Sequence, residues 1–290
     1  MRSSEALRHK IITLTTDFGY KDPFVGEMKG VILSINPSVT LVDITHGIEP
    51  HKIEECAFII GSSYKYFPSE TIHIAVVDPG VGSERRPIII EADGYYFVGP
   101  DNGIFSYVMS FSEKLKVIQI TEATPQKIWR FFGNHALKGV FTRGTMSPLW
   151  AIDSPTFQGR DVFAPVAAWL SKGIALEAFG CTIDDFKRFE VPLPKVEGDK
   201  ISGEIIYVDT FGNVITNIRK SDLQGLGEKF SVEIKGKIVR TVKNYSQASD
   251  NSLYCLINSS GHLEFFVNMD SASRLFDINK GEKVTVLKQN

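Results

Sequence analysis

The chain has 290 residues, is 43% hydrophobic and 23% charged, and carries a formal net charge of -2 at pH 7. That length holds one or two domains with a substantial core, and the near-neutral charge offers no electrostatic footprint for nucleic acid. The longest apolar runs, such as "RPIII" and "APVAAWL", are far shorter than a bilayer span, so no membrane partner is expected.

The N-terminal "MRSSEALRHK" is charged and lacks an apolar core, which reads as a frayed extension rather than a secretory signal. "KIITLTT" (Lys10 to Thr16) reads as a buried strand, and "DPFVGEMKGVILSINP" as a helix ended by Pro37. "VTLVDIT" is a second strand, "HKIEECAFIIGSSYKYF" a second helix and "TIHIAVVD" a third strand. "RPIIIEADGYYFVGP" has a hairpin signature with Asp93-Gly94 at the turn. "RDVFAPVAAWLSKG" looks helical, provided that Pro165 lies in the first turns. Strands separated by helices predict an α/β domain over residues 1–190, a three-layer, mainly parallel sheet.

"VPLPKVEGD" suits a linker. Beyond it, "ISGEIIYVD", "NVITNI", "KFSVEIKGKIVRTV", "SLYCLINSSGHLEFFVN" and "KVTVLK" are short alternating strands with glycine-containing turns. That pattern belongs to a small antiparallel barrel or sandwich. We take it as a β-barrel domain over residues 196–290. Cys56, Cys181 and Cys255 are far apart and in no metal-like spacing, and read as reduced thiols of a cytoplasmic protein.

The early strands end in or near carboxylates: Asp17, Asp43 and Asp78. Ligands of open parallel sheets bind beyond the carboxyl ends of strands, so Asp17 and Asp78 are expected to converge on one crevice. The competing role for each is a cap of the following turn, and it weighs most for Asp43, which is followed by Thr45 and His46. His46 and His51 default to hydrogen-bonding or surface roles. No G-x-G-x-x-G follows the first strand, and no Walker motif, H-E-x-x-H, paired cysteines or G-x-S-x-G occurs. No metal and no resident cofactor are expected.

Seven segments, "TLTTDFGYKDPFVGEMKGVI", "VDITHGI", "VDPGVGSERRPI", "GPDNG", "TFQGRDVFAPVAA", "VDTFGNVITNI" and "NSSGHLEFFVN", together resemble one family in order and register. It is the S-adenosyl-L-methionine (SAM) hydroxide adenosyltransferases, or SAM hydrolases, relatives of the fluorinase and chlorinase. The resemblance implies that SAM is the substrate, not a cofactor, and that water attacks ribose C5′ to give adenosine and L-methionine. It also implies a homotrimer with active sites between subunits.

By the same resemblance, Asp78 and Arg85 of "DPGVGSER" match two catalytic positions, with Gly80 and Gly82 letting the backbone approach the ligand. Gln158, in "TFQGRD", stands where the family usually has histidine. Glutamine hydrogen-bonds a water but does not accept a proton at neutral pH. Asp17 matches the carboxylate that holds both ribose hydroxyls. Asp209 and Asn213, in "VDTFGN", match residues at the methionine end, Phe211 packs on the ligand, and Asn268 matches the loop that reads adenine. Asp78 stands where the fluorinase carries a tyrosine, Gly159 where it has a halide-holding serine, and His51 where halogenating relatives have a tryptophan. A carboxylate beside the nucleophile repels halide but hydrogen-bonds water. The segment 131–150, with His135 and Arg143, resembles an insertion. We order the readings as hydrolase, then a non-catalytic SAM- or adenosine-binding protein, then halogenase.

Overall fold

In the computed structural model residues 10–121, 155–227 and 229–289 are described. The expected frayed N-terminus and the 131–150 segment with His135 and Arg143 lie outside them. The chain divides into two compact units between Glu190 and Val191.

The first unit is a seven-stranded sheet in the order β2-β1-β3-β5-β4-β6-β7. Its strands are β1 (Ile11–Thr16), β2 (Thr40–Thr45), β3 (Ile72–Val76), β4 (Pro87–Ala92), β5 (Tyr95–Pro100), β6 (Leu115–Ile120) and β7 (Gly180–Thr182). β2, β1, β3 and β5 are mutually parallel, and β4 and β7 run against the rest.

Helices cover both faces, which is why the central strands are apolar on alternate residues in both directions. Ile12, Leu14, Ile72, Ile74 and Val76 face one core, shared with α1 (Phe24–Ile35) and α4 (Ala164–Ser171). Ala75, Val77, Ile90 and Phe97 face the other, shared with α2 (Ile53–Ser63) and α3 (Ser106–Phe111).

Local chemistry sets the element ends. α1 buries Val25, Met28, Ile32 and Ile35 on one stripe, and Pro37 follows its C-cap Asn36. Pro165 sits in the first turn of α4, where a missing N–H leaves no helix bond unmade. A single π-turn, Gly159–Phe163, leads into α4. The β4–β5 hairpin turns on Asp93 and Gly94, both at positive φ (49° and 84°), the left-handed pair that a two-residue turn requires.

The second unit is a barrel of β9 (Lys200–Val208), β10 (Val214–Arg219), β11 (Phe230–Ile234), β12 (Lys237–Thr241), β13 (Tyr254–Ile257), β14 (His262–Phe266) and β15 (Lys283–Lys288). Pairing of β10 with β9 closes it. The short β8 (Lys195–Glu197) lies on β9. All neighbours are antiparallel except β12 and β13. Ile201, Ile205, Val214, Val232, Phe265 and Val286 fill the interior. Among the described residues no helix is long and apolar enough to cross a membrane.

Candidate active site

β1 and β3 pair with Thr16 opposite Val76, so the chain leaves both strands at the same sheet edge. Asp17 lies one residue beyond β1 and Asp78 two beyond β3. This edge is where a ligand meets backbone groups no longer used by the ladder.

The turn after Asp78 folds back on itself. Val81 N–H donates to Asp78 O (3.2 Å), Ser83 N–H and Oγ donate to Gly80 O (3.1 and 2.7 Å), and Arg85 N–H donates to Ser83 Oγ (3.3 Å). This reversal returns Arg85 onto Asp78. Arg85 Nε donates to Asp78 Oδ1 at 2.9 Å and Nη2 donates to Oδ2. The two side chains are only 4% and 5% exposed, and the guanidinium lies 5.6 Å over the Phe163 ring. Such a fork is the strongest carboxylate partnership available to an arginine. It leaves Arg85 Nη1 buried and without a hydrogen-bond partner among the described residues.

The segment carrying Gln158 packs against this turn. Gly82 has φ +80°, and a Cβ there would stand 3.1 Å from Pro155 O, so two independent constraints exclude a side chain. Gln158 immediately precedes the π-turn that supplies Phe163, and its Oε1 is buried without a hydrogen-bond partner among the described residues. Phe18 and Phe24 meet Phe157 edge-on at 5.8 and 5.2 Å, joining the Asp17 loop to the same segment. Arg160 lies 5.1 Å over Phe157 and pairs with Asp161 and Glu27. Asp17 Oδ2 accepts the His51 N–H at 3.0 Å, with His51 itself at φ 71°. Asp17, Asp78, Arg85 and Gln158 therefore share one end of the sheet.

The two adjacent arginines do different work. Arg86 reaches Asp101, whose carboxylate also accepts Lys187 N–H at 2.7 Å, and Asp185 at 2.6 Å. These bonds, Asp185 foremost, raise the Arg86 pKa. Asn102 Nδ2 donates to Val77 O at 2.9 Å, tying "GPDNG" to the strand that leads into Asp78. Burial raises the Asp43 pKa, but the Lys29 ammonium and the nearby His46 ring outweigh that and hold it below the usual range.

In the second unit, Asp209 closes its own loop. Oδ1 accepts the N–H groups of Phe211 and Asn213, both at 2.9 Å, and Oδ2 accepts Asn213 Nδ2 at 3.0 Å. Phe211 is left 79% exposed at the tip. Gly212 (φ +82°) lies against Ser271, where a Cβ would sit 2.0 Å from Oγ, so the loop seats on the chain just after Asn268. Asn268 is half-buried, and next to it Met269 is almost fully exposed. Near this end Glu264, buried within β14, has its pKa raised by burial despite hydrogen bonds from Asn258 and Tyr245. Nothing in "HLEFF" alone signals that role. Among the described residues no group of three or more His, Cys, Asp or Glu is placed to hold a metal ion.

Residues 12–180 match the SAM hydroxide adenosyltransferase N-terminal domain and residues 203–285 the corresponding C-terminal domain. The (R)-S-adenosyl-L-methionine hydrolase of Methanocaldococcus jannaschii is 35% identical over 290 residues, covering 96% of this chain and 95% of that protein. A fluorinase of an Actinoplanes species is 27% identical, covering 96% and 97%. Among solved structures, an uncharacterized conserved protein from Thermotoga maritima aligns with a TM-score of 0.79 at 31% identity, covering 95% of this chain and 99% of that one. With two domain models matched in order over most of its length, and with relatives aligned end to end, the chain belongs to the SAM hydroxide adenosyltransferase family.

Proposed function

We propose that this protein hydrolyses SAM to adenosine and L-methionine by attack of water on ribose C5′. The observation that carries the reading is a pair of buried groups without a hydrogen-bond partner among the described residues: a donor, Arg85 Nη1, and an acceptor, Gln158 Oε1, on two turns packed together. One donor and one acceptor are what a single oriented water requires. The new bond joins the water oxygen to C5′, the C–S bond breaks with its electron pair staying on sulfur, and the proton that the water loses is released to solvent, since neither the Gln158 amide nor the Arg85 guanidinium accepts it. The sulfonium leaves as a neutral thioether, so no acid is needed. What remains is in-line positioning and stabilisation of hydroxide character, against a water pKa of about 15.7. The Arg85 guanidinium supplies that stabilisation, Asp78 fixes its orientation, and the Gln158 amide aims the water. Asp17 holds the ribose hydroxyls, and Asp209, Phe211, Asn213 and Asn268 contact the methionine and adenine ends. The assembly in this reading is a cytoplasmic homotrimer whose sites combine the first unit of one subunit with the second unit of the next.

The test is incubation of the purified protein with SAM in chloride-free and chloride-rich buffer, followed by chromatography. Adenosine and methionine are expected in both buffers and neither with Asp78→Ala. Intact SAM, with adenosine still raising the melting temperature, would instead establish the non-catalytic binder, and recovery of turnover in Gln158→His would locate the defect.

Space at Gly159 speaks against halide. A Cβ there would lie 3.0 Å from Phe157 Cε2 and 3.2 Å from Met28 Sδ. Gly159→Ser is expected to cost about 1–3 kcal/mol through overpacking and to yield no halogenated nucleoside. Urea denaturation and product chromatography in chloride check both parts.

A further inference from the structure

One buried histidine brackets Asp17. His46, only 1% exposed, follows β2. Its carbonyl accepts Gly19 N–H at 2.8 Å, and its Nδ1 lies 2.8 Å from Thr16 Oγ1. The same Oγ1 accepts Phe18 N–H at 3.2 Å. Thus His46 binds residues 16 and 19, on both sides of Asp17, directly, and Phe18 is held through the Thr16 hydroxyl.

The proton count fixes the arrangement. His46 Nε2 faces a carboxylate oxygen, which only accepts, so the neutral ring carries its proton on Nε2 and leaves Nδ1 to accept from the Thr16 hydroxyl. The ring proton then sits on Nε2, 3.1 Å from Asp43 Oδ1. The contact is an ion-pair approach rather than a hydrogen bond, and neither atom has a hydrogen-bond partner among the described residues. Asp43 Oδ2 is held by Lys29 Nζ at 2.6 Å, and the Tyr20 ring covers His46 edge-on at 5.1 Å. Burial lowers the His46 pKa more than Asp43 raises it, consistent with a neutral ring.

We propose that Asp43, His46 and Thr16 form a positioning unit that aims the Asp17 carboxylate, and so sets the affinity for the ribose hydroxyls. Asp17 lies past the end of β1, where no ladder bonds fix it. Among the described residues Oδ2 is held by the His51 N–H alone, and the direction of the carboxylate depends on how residues 16 to 19 are pinned. A recognition group whose supporting shell is loose loses its geometry before the fold does. The proposal rests on the reading of Asp17 as the diol-binding carboxylate.

The experiment is calorimetric titration of the full chain with adenosine and with 2′,3′-dideoxyadenosine, which lacks both hydroxyls. Thr16→Val keeps the shape of a side chain that is 0% exposed but removes the hydroxyl. It is expected to weaken adenosine binding about tenfold, to leave the dideoxy affinity within about twofold, and to be rescued by Thr16→Ser. His46→Leu carries the same expectation, so a Thr16→Val chain that does not fold leaves the test standing. Equal losses for both nucleosides, or no loss for either, would overturn the positioning role. Asp17→Asn separates the two levels. If it weakens adenosine while Thr16→Val and His46→Leu do not, only the positioning unit fails. If it leaves adenosine unaffected, the ribose assignment fails and takes the proposal with it.

Discussion

Replacing Arg85 by methionine is expected to slow SAM turnover by about 10²–10³-fold, the usual cost of removing one preorganised donor to a developing negative charge. Stability should fall as well, by about 3–5 kcal/mol, because the Asp78 carboxylate is then buried and unpaired. Its side chain is 5% exposed, so water does not readily replace the guanidinium. The two effects can be separated. In the double variant Asp78→Leu/Arg85→Met no charge is stranded, and most of the lost stability should return. Activity should stay at the floor. Urea midpoints and chromatographic rates on the parent, the two single variants and the double variant measure this. A double variant no more stable than Arg85→Met would mean that the pair is not the buried unit described above. A single variant with parental rates would remove Arg85 from the mechanism.

Acid should destabilise the first unit through His73. This side chain is completely buried in β3 between the rings of Phe67, Tyr95 and Phe97, with Tyr64 edge-on. Its Nδ1 pairs with Thr13 Oγ1 at 2.8 Å, and Nε2 has no hydrogen-bond partner among the described residues. Burial pushes its pKa down from 6.5 to about 3. The unfolded chain therefore binds a proton that the folded chain refuses between those two values. The stability is fully present above about pH 6.5 and is lost as pH falls towards 3. Across the whole window the loss is on the order of 5 kcal/mol. In His73→Leu this part of the pH dependence should vanish, at a cost of about 1–2 kcal/mol at neutral pH for the orphaned Thr13 hydroxyl. Unfolding free energies from urea titrations at pH 7.5 and 4.5 should differ by about 3 kcal/mol more in the parent than in the variant. Equal differences would show that His73 charges freely in the folded state.

Much of this architecture can be read in short windows of sequence. Asp93-Gly94 marks its turn because only left-handed backbone closes a two-residue hairpin, and Pro37 and Pro165 mark helix ends through the N–H that each lacks. Asp17 and Asp78 are visible as strand-end carboxylates because a parallel sheet puts those ends on one edge. What stays hidden is partnership at long range. Arg86 meets Asp101 and Asp185 across 15 and 99 residues of chain, with no local pattern to announce it. β6 is placed by its pairing with β4, and the three-residue β7 by its pairing with β6, not by their own periodicity. "VDITHGI" reads as an ordinary strand end, yet His46 within it holds Thr16 through its ring and Gly19 through its carbonyl. Asp209 is the opposite case: a local turn motif whose carboxylate is satisfied by its own loop.

The closure of the second unit has a consequence for how it can fold. β9 and β10 are neighbours in the chain and can pair early, but the other long side of β9 is covered by β15, with Lys200 opposite Leu287. Until residues 283–288 arrive, β9 and β11 each keep an open edge, and the interior around Ile201 and Val286 has no wall. Closure of such a distant loop comes late and governs the rate. During synthesis the unit must therefore wait, as an open sheet with two sticky edges, for nearly its whole length to leave the ribosome.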